Sequence, residues 1–253
     1  MTKDRQPVRV RIGALRPRQL GVRRRPPGEA RPAALDWPAW IALIERHRRN
    51  LARGNGAFHP PLAEYFVAAT CSSFALEGID CTDQEVIDAI TQGFAQRKFR
   101  SRASQRVRNH VAILHSIEKS LELNYPLKSA AVLRWYTSIG SGLSPSALGH
   151  DKMARLEQII GRINSPQLRL QPAIQEVART YGELLADPLF PSFNGLLARL
   201  LLRFHLGRCG LPGIVFEDAQ GQAHWQKGDT GSLALLQAIE LSYQGLLSDQ
   251  GTD

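Results

Sequence analysis

The segment 194–206, NGLLARLLLRFHL, constrains the fold of this 253-residue chain more than any other. It has helical length but no polar stripe, because only Arg199, Arg203 and His205 interrupt the apolar side chains after its opening Asn-Gly. A helix apolar on nearly every side must be enclosed by other elements. The chain therefore has to supply a ring of amphipathic partners around residues 195–207. Asn194 is placed to cap this helix, and Gly195 follows it. The unpaired N–H groups of the first turn then form a potential anion site. Arg199, one turn in, needs a partner or a ligand anion, since an unpaired buried charge is very costly. Arg203 follows at i+4 and either shares that face or snorkels to solvent.

The partners are legible as helical periodicity. Asp36 reads as an N-cap, with Pro38 in the first turn, and Trp37, Trp40, Ile41, Ile44 and Leu51 recur at helical spacing to about residue 52. A second helix spans Leu62 to about Leu76 and ends at Gly78, a C-terminal glycine. Thr82 and Glu85 form a capping-box pattern opening a third over 83–95. Further helices are expected over about 101–123, with Val107, Val111, Leu114 and Ile117 inward, and over 127–139, 152–160, 172–186 and 232–247. The stretch 187–193, DPLFPSF, reads as a loop, and 214–225 as a short hairpin turning at 219–221. The sum is a mainly α domain of eight or nine helices with at most that hairpin.

Charge divides the chain sharply. Residues 1–35 hold ten basic and two acidic residues; the remaining 218 hold 22 and 21, so most of the net +9 sits in the first 35. That segment, residues 3–31 above all, also carries Pro17, Pro26, Pro27 and Pro32, which favour extended chain. It is expected to be a flexible arm able to meet nucleic acid or an anionic surface by counterion release, although it has no aromatic residue for base stacking. Residues 36–253, 43% hydrophobic over the whole chain, suit a single domain. No apolar run reaches the length of a membrane span, and no apolar segment follows the basic start as in a secretory signal. Cys71, Cys81 and Cys209 lack CxxC spacing and are expected to be reduced, core-type thiols of a cytoplasmic protein.

The usual enzyme signatures are absent: there is no GxGxxG, GxxxxGK[ST], HExxH or GxSxG. The seven histidines do not cluster at ligand spacing and read as ordinary surface or half-buried side chains; no metal site is expected. One carboxylate stands out. Glu77 closes the apolar run ATCSSFALEG, and a negative charge at a helix C-terminus opposes the dipole unless a cation compensates. Glu77 and Arg199 are each awkward alone and would satisfy one another.

These residues carry a resemblance. Ser73-Phe-Ala-Leu-Glu77-Gly78 resembles the [S/T]xxxE[G/N] inhibitory-helix motif of Fic (Fido-fold) proteins. Val107-x-Asn109-x-x-x-Ile113-Leu114 is similar to that family's asparagine-containing helix. FNGLLARLLLRFHLGRCGLPGIVF looks like its GNGRxxR motif helix with the following segment, and Gly228-Asp229 like its GDxxxL pattern. The pieces run in order over roughly residues 62–247. The resemblance implies a Fic-type helical bundle with an inhibitory-type helix at about 62–78 and a core motif at 188–199.

In active Fic proteins the HPFxxGNGRxxR motif transfers AMP from ATP to a protein hydroxyl. Its histidine is the base, its acidic residue binds Mg²⁺, and its Gly-Asn-Gly turn cradles phosphates. Phe190, Asn194, Gly195 and Arg199 match this motif, so the last three are the phosphate-binding candidates. Pro188 stands at the histidine position, Ser192 at the acidic one, Phe193 at the first glycine and Leu196 at the first arginine. His205 cannot replace the base, because eleven residues of helix carry it about 16 Å from Asn194. The resemblance thus implies a degenerate member, a catalytically inactive pseudoenzyme acting through protein or nucleotide binding, with ATP and Mg²⁺ implied by the family alone. In inhibited members the motif glutamate pairs with the second motif arginine, and both residues are retained here. Either they form a lock with nothing left to inhibit, or they form a structural ion pair, which is the favoured reading. Two alternatives stand: a nucleic-acid-associated accessory protein using the basic arm, and residual AMP or phosphate-group transfer by a rearranged site.

Overall fold

The computed structural model describes residues 35–53, 62–91, 101–140, 148–165, 169–216 and 228–249. Among them nine α-helices follow one another: α1 (Trp37–Arg53), α2 (Leu62–Leu76), α3 (Asp83–Thr91), α4 (Arg102–Glu122), α5 (Ser129–Gly140), α6 (His150–Asn164), α7 (Leu170–Ala186), α8 (Asn194–Arg208) and α9 (Gly228–Asp249). No described residue lies in a strand. The basic arm, residues 1–34, lies outside the described residues.

Helix α8 occupies the centre. Every residue from Leu196 to Leu206 is buried, the two arginines and His205 included. It packs against α2, α4, α5, α6 and α7, the enclosure that its apolar circumference demands. Helix α9 lies against α7 and α1, and α3 bridges α2 and α4. The stripe expected on α4 is the observed one: Val107, Val111, Leu114 and Ile117 are all buried.

Local signals set several boundaries. The Thr82–Glu85 capping box forms, with Glu85 N–H donating to Thr82 Oγ1 at 3.3 Å and Thr82 N–H to Glu85 Oε2 at 3.1 Å. Helix α2 ends in a Schellman-type turn in which Ile79 N–H reaches back to the Phe74 carbonyl at 3.0 Å and Gly78 adopts φ +68°. That left-handed turn breaks the helix just past Glu77 and leaves its carboxylate free to project sideways.

Other boundaries differ from expectation. Helix α6 runs over 150–164 rather than 152–160, because its end is tied down from outside. Asn164 brackets Leu127 with two 2.8 Å hydrogen bonds, accepting from its N–H and donating to its carbonyl. Helix α3 ends at Thr91, and the rest of its expected length lies outside the described residues. Of the expected hairpin, residues 214–216 are neither helix nor strand, and 217–225 lie outside the described residues. The three thiols are half-buried, packed against the edge of the core rather than enclosed within it.

Candidate functional site at the α2–α8 junction

The C-terminal turn of α2 meets the N-terminal half of α8 through one guanidinium. Arg199 Nη2 donates to Glu77 Oε1 and to the Ser73 carbonyl, each at 2.8 Å, while Nε donates to Ser73 Oγ at 3.2 Å. Ser73 and Glu77 lie four residues apart, so one face of α2 presents hydroxyl, carbonyl and carboxylate together. A Cβ on Gly195 would collide with Glu77 Oε1 and crowd the Arg199 guanidinium, so a larger residue here would push the Glu77 carboxylate off its present position. Glu77 therefore rests on the first turn of α8, where the helix dipole favours negative charge. The Glu77 carboxylate thus lies beside the predicted anion site.

Behind this pair the environment is dry. His110, which is 1% exposed, hydrogen-bonds the Thr70 hydroxyl through Nδ1 at 3.1 Å and meets the Phe74 ring edge-on. Burial, and secondarily the positive charge of Arg199, lowers its pKa to about 3, so it is neutral. Burial likewise raises the Tyr181 phenol, against the pull of Arg199. A cavity of about 20 Å³ lined by Tyr65, Ser73, His110, Arg199 and Phe216 has room for a single water.

One turn along α8, Arg203 does not snorkel. It forms a bidentate pair with Glu118 of α4, Nε to Oε1 at 2.8 Å and Nη2 to Oε2 at 2.5 Å, and lies 5.6 Å from the Tyr65 ring centroid. Sequence reasoning missed Glu118. Its signal was a carboxylate directly after the inward Ile117, adjoining a stripe that faces α8. The histidines also differ from expectation: His47, His110 and His205 are buried, not surface or half-buried. Neutral imidazole tolerates such burial far better than a fixed charge does, and burial lowers His205 to about 4.

The loop 187–193 is stapled shut from several sides. Arg155 of α6 binds the Asp187 carbonyl at 2.9 Å and also its carboxylate, and Lys152 Nζ donates to the Pro188 carbonyl at 3.1 Å. Phe190 is buried, its ring 4.9 Å from that of Tyr136. Pro188 and Ser192 are exposed. Asn194 is not the cap of α8 but its first residue; the N-cap is Phe193, at φ 57° and ψ 22°. The reason is that the Asn194 amide is already engaged within the loop, accepting from Phe190 N–H at 3.2 Å and donating to the Leu184 carbonyl at 2.7 Å. Phe193 holds a left-handed backbone that suits glycine, and its ring lies 4.7 Å from the Arg106 guanidinium of α4. Asn109 faces elsewhere, donating to the Ser138 carbonyl of α5 at 2.6 Å.

The structure thus brings Ser73, Glu77, Gly195 and Arg199 into one contact. Asn194 and Phe193 adjoin it, whereas Gly78 forms the turn that aims Glu77. Pro188 and Ser192 lie on the exposed loop. These residues do not fit a Mg²⁺-bound nucleotide. A carboxylate lies against the α8 turn, Ser192 offers no carboxylate to a cation, and the cavity at Arg199 is far below the few hundred Å³ of a small-molecule site. Among the described residues, no group of three or more His, Cys, Asp or Glu residues is arranged to hold a metal ion.

Comparison with known proteins places the fold. No family model matches the sequence, and no curated protein matches it. Solved structures do. A Fic-1 fragment from C. elegans superposes with a TM-score of 0.62 at 16% identity, covering 82% of this chain and 71% of its own. A Fic-domain-containing signaling protein from Bacteroides thetaiotaomicron gives 0.57 at 14% identity, covering 84% and 95%. A Fic family protein from Desulfovibrio desulfuricans gives 0.51 at 15% identity, covering 91% and 78%. The mainly helical bundle is the Fic fold. At these identities the likeness is one of architecture, and the residues at the α2–α8 junction have to be read on their own chemistry.

Proposed function

We propose that this chain is a Fic-fold protein that no longer transfers AMP, and that it acts through a protein partner. The observation that carries this reading is the position of the Glu77 carboxylate on the first turn of α8, paired with Arg199 and closed over Gly195. Around it, Pro188, Ser192, Phe193 and Leu196 stand where the resemblance calls for a base, an acid, a glycine and an arginine. Each substitution removes a different chemical capability: proton abstraction, cation binding, close approach of a phosphate, and charge neutralisation. In this reading Glu77–Arg199 is a structural clasp between α2 and α8. The odd set of free thiols supports a cytoplasmic setting. The basic arm, whose charge suits nucleic acid or an anionic surface, is a separate means of attachment.

Incubation with labelled ATP and Mg²⁺ tests the reading on the chain itself and on a Glu77→Ala variant. Neither is expected to acquire label. Label that appears in Glu77→Ala and is lost when Asn194→Ala is added would show a lock over a working site, and would overturn the proposal.

A further inference from the structure

Two of the three thiols lie side by side. Cys71, on α2, and Cys81, in the turn before α3, have their Sγ atoms 3.4 Å apart, and both are half-buried with access to solvent. The Cys71 thiol also donates to Asp83 Oδ1 at 3.6 Å. The eleven residues from Cys71 to Cys81 contain Ser73, Glu77 and the left-handed Gly78, that is, the whole turn that presents the carboxylate to α8. Neither the Fic-fold likeness nor the Glu77–Arg199 pair calls for cysteines at these positions.

We infer that Cys71 and Cys81 form a reversible modification site, a dithiol that closes to a disulfide by exchange with a low-molecular-weight disulfide such as oxidised glutathione. The Cys81 thiolate attacks one sulfur of that reagent, forming a mixed disulfide and releasing one thiolate. Cys71 then attacks Cys81 Sγ and expels the second, its proton passing to the Asp83 carboxylate or to water. Two S–H bonds are lost, one S–S bond is formed, and one reagent disulfide is reduced to two thiols. The order follows from the surroundings of Cys71: its hydrogen bond to Cys81, its burial and the charge of Asp83 together keep its thiol protonated well above the ordinary range. Cys209 does not compete, since burial raises it to about 11. Closing the ring tethers the end of α2 to the start of α3 and restrains the turn between them. This holds whether or not the chain transfers AMP.

The test treats the full chain with oxidised glutathione and maps its peptides. The expected product has lost two hydrogens, links Cys71 to Cys81, and reverts with dithiothreitol. Cys71→Ser is expected to stop at the mixed disulfide on Cys81. Hydrogen exchange then reads the restraint: the amides of residues 77–79, bonded to the Phe74 and Ala75 carbonyls, are expected to exchange about tenfold more slowly in the oxidised chain. Wild-type chain that stops at the mixed disulfide would overturn the inference, as would a bridge that leaves exchange at 77–79 unchanged.

Discussion

Arg199 is buried more deeply than the carboxylate it pairs with: 4% of its side chain is exposed against 23% for Glu77, across a contact of 2.8 Å. The two partners are therefore not equivalent. Glu77 can recover solvation if its partner is lost, whereas Arg199 cannot.

Removing the carboxylate should consequently be the harmful change. Glu77→Ala leaves Arg199 without its carboxylate partner and is expected to cost about 2 kcal/mol, below the range for fully buried pairs because Glu77 is partly wet. Adding Arg199→Met in that background should restore stability rather than reduce it further. Urea midpoints of the two variants check this, and a double variant weaker than Glu77→Ala would contradict it.

The second ion pair is predicted to matter more. Arg203 and Glu118 have side chains only 10% and 9% exposed, and they share two hydrogen bonds. Glu118→Ala removes both hydrogen bonds from a largely buried guanidinium and is expected to cost about 3–5 kcal/mol. Thermal melts should place Glu118→Ala below Glu77→Ala.

Phe193 offers a test of backbone against side chain. Its left-handed conformation costs a non-glycine residue about 1 kcal/mol, offset by the ring's contact with Arg106. Phe193→Gly should therefore change stability by less than about 1 kcal/mol, an unusually small effect for deleting an aromatic ring. Phe193→Val, which keeps the strain and loses the contact, should cost about 2 kcal/mol. Equal denaturant midpoints for the two variants would count against this account.

Acid sensitivity follows from the buried histidines. His110 is lowered to about 3 and His205 to about 4, first by burial in both cases, while both titrate near 6.5 in the unfolded chain. Between those values the unfolded state binds more protons, so stability rises with pH there. Acidification from pH 7 should destabilise the fold progressively once below about 6.5, and above that the two histidines contribute no slope. His110→Gln should flatten the dependence by up to about 1.4 kcal/mol per pH unit. Urea titrations on the acid side of neutrality measure it, and an unchanged slope would refute the assignment.

How much of this was written in the sequence depends on the distance over which each signal acts. The central position of α8 was legible from its own circumference, the end of α2 from Gly78 and the start of α3 from the Thr82–Glu85 box. All of these are local. The partnership of Glu77 with Arg199 was readable because both residues were awkward alone, so the two could be matched across 122 positions. Glu118 carried no such local discomfort and went unpaired. Asn194 had the residue type and place of a cap, but the Leu184 carbonyl and Phe190 N–H claimed its amide, a competition visible only once the loop has closed. The approach of Cys81 to Cys71 likewise depends on a turn direction that spacing does not encode.

A helix that is greasy all the way round has a problem of degeneracy. Turned about its axis or slid by one turn, it would bury nearly the same surface against the same five neighbours. Arg199 and Arg203 point only about 40° apart on the helical wheel and one turn apart along it, yet one is received by α2 and the other by α4. Only one azimuth and one height of α8 satisfy both receptors at once. The two guanidiniums thus act as an index mark, giving a single seating to a core helix that hydrophobic burial alone would leave free to choose among several.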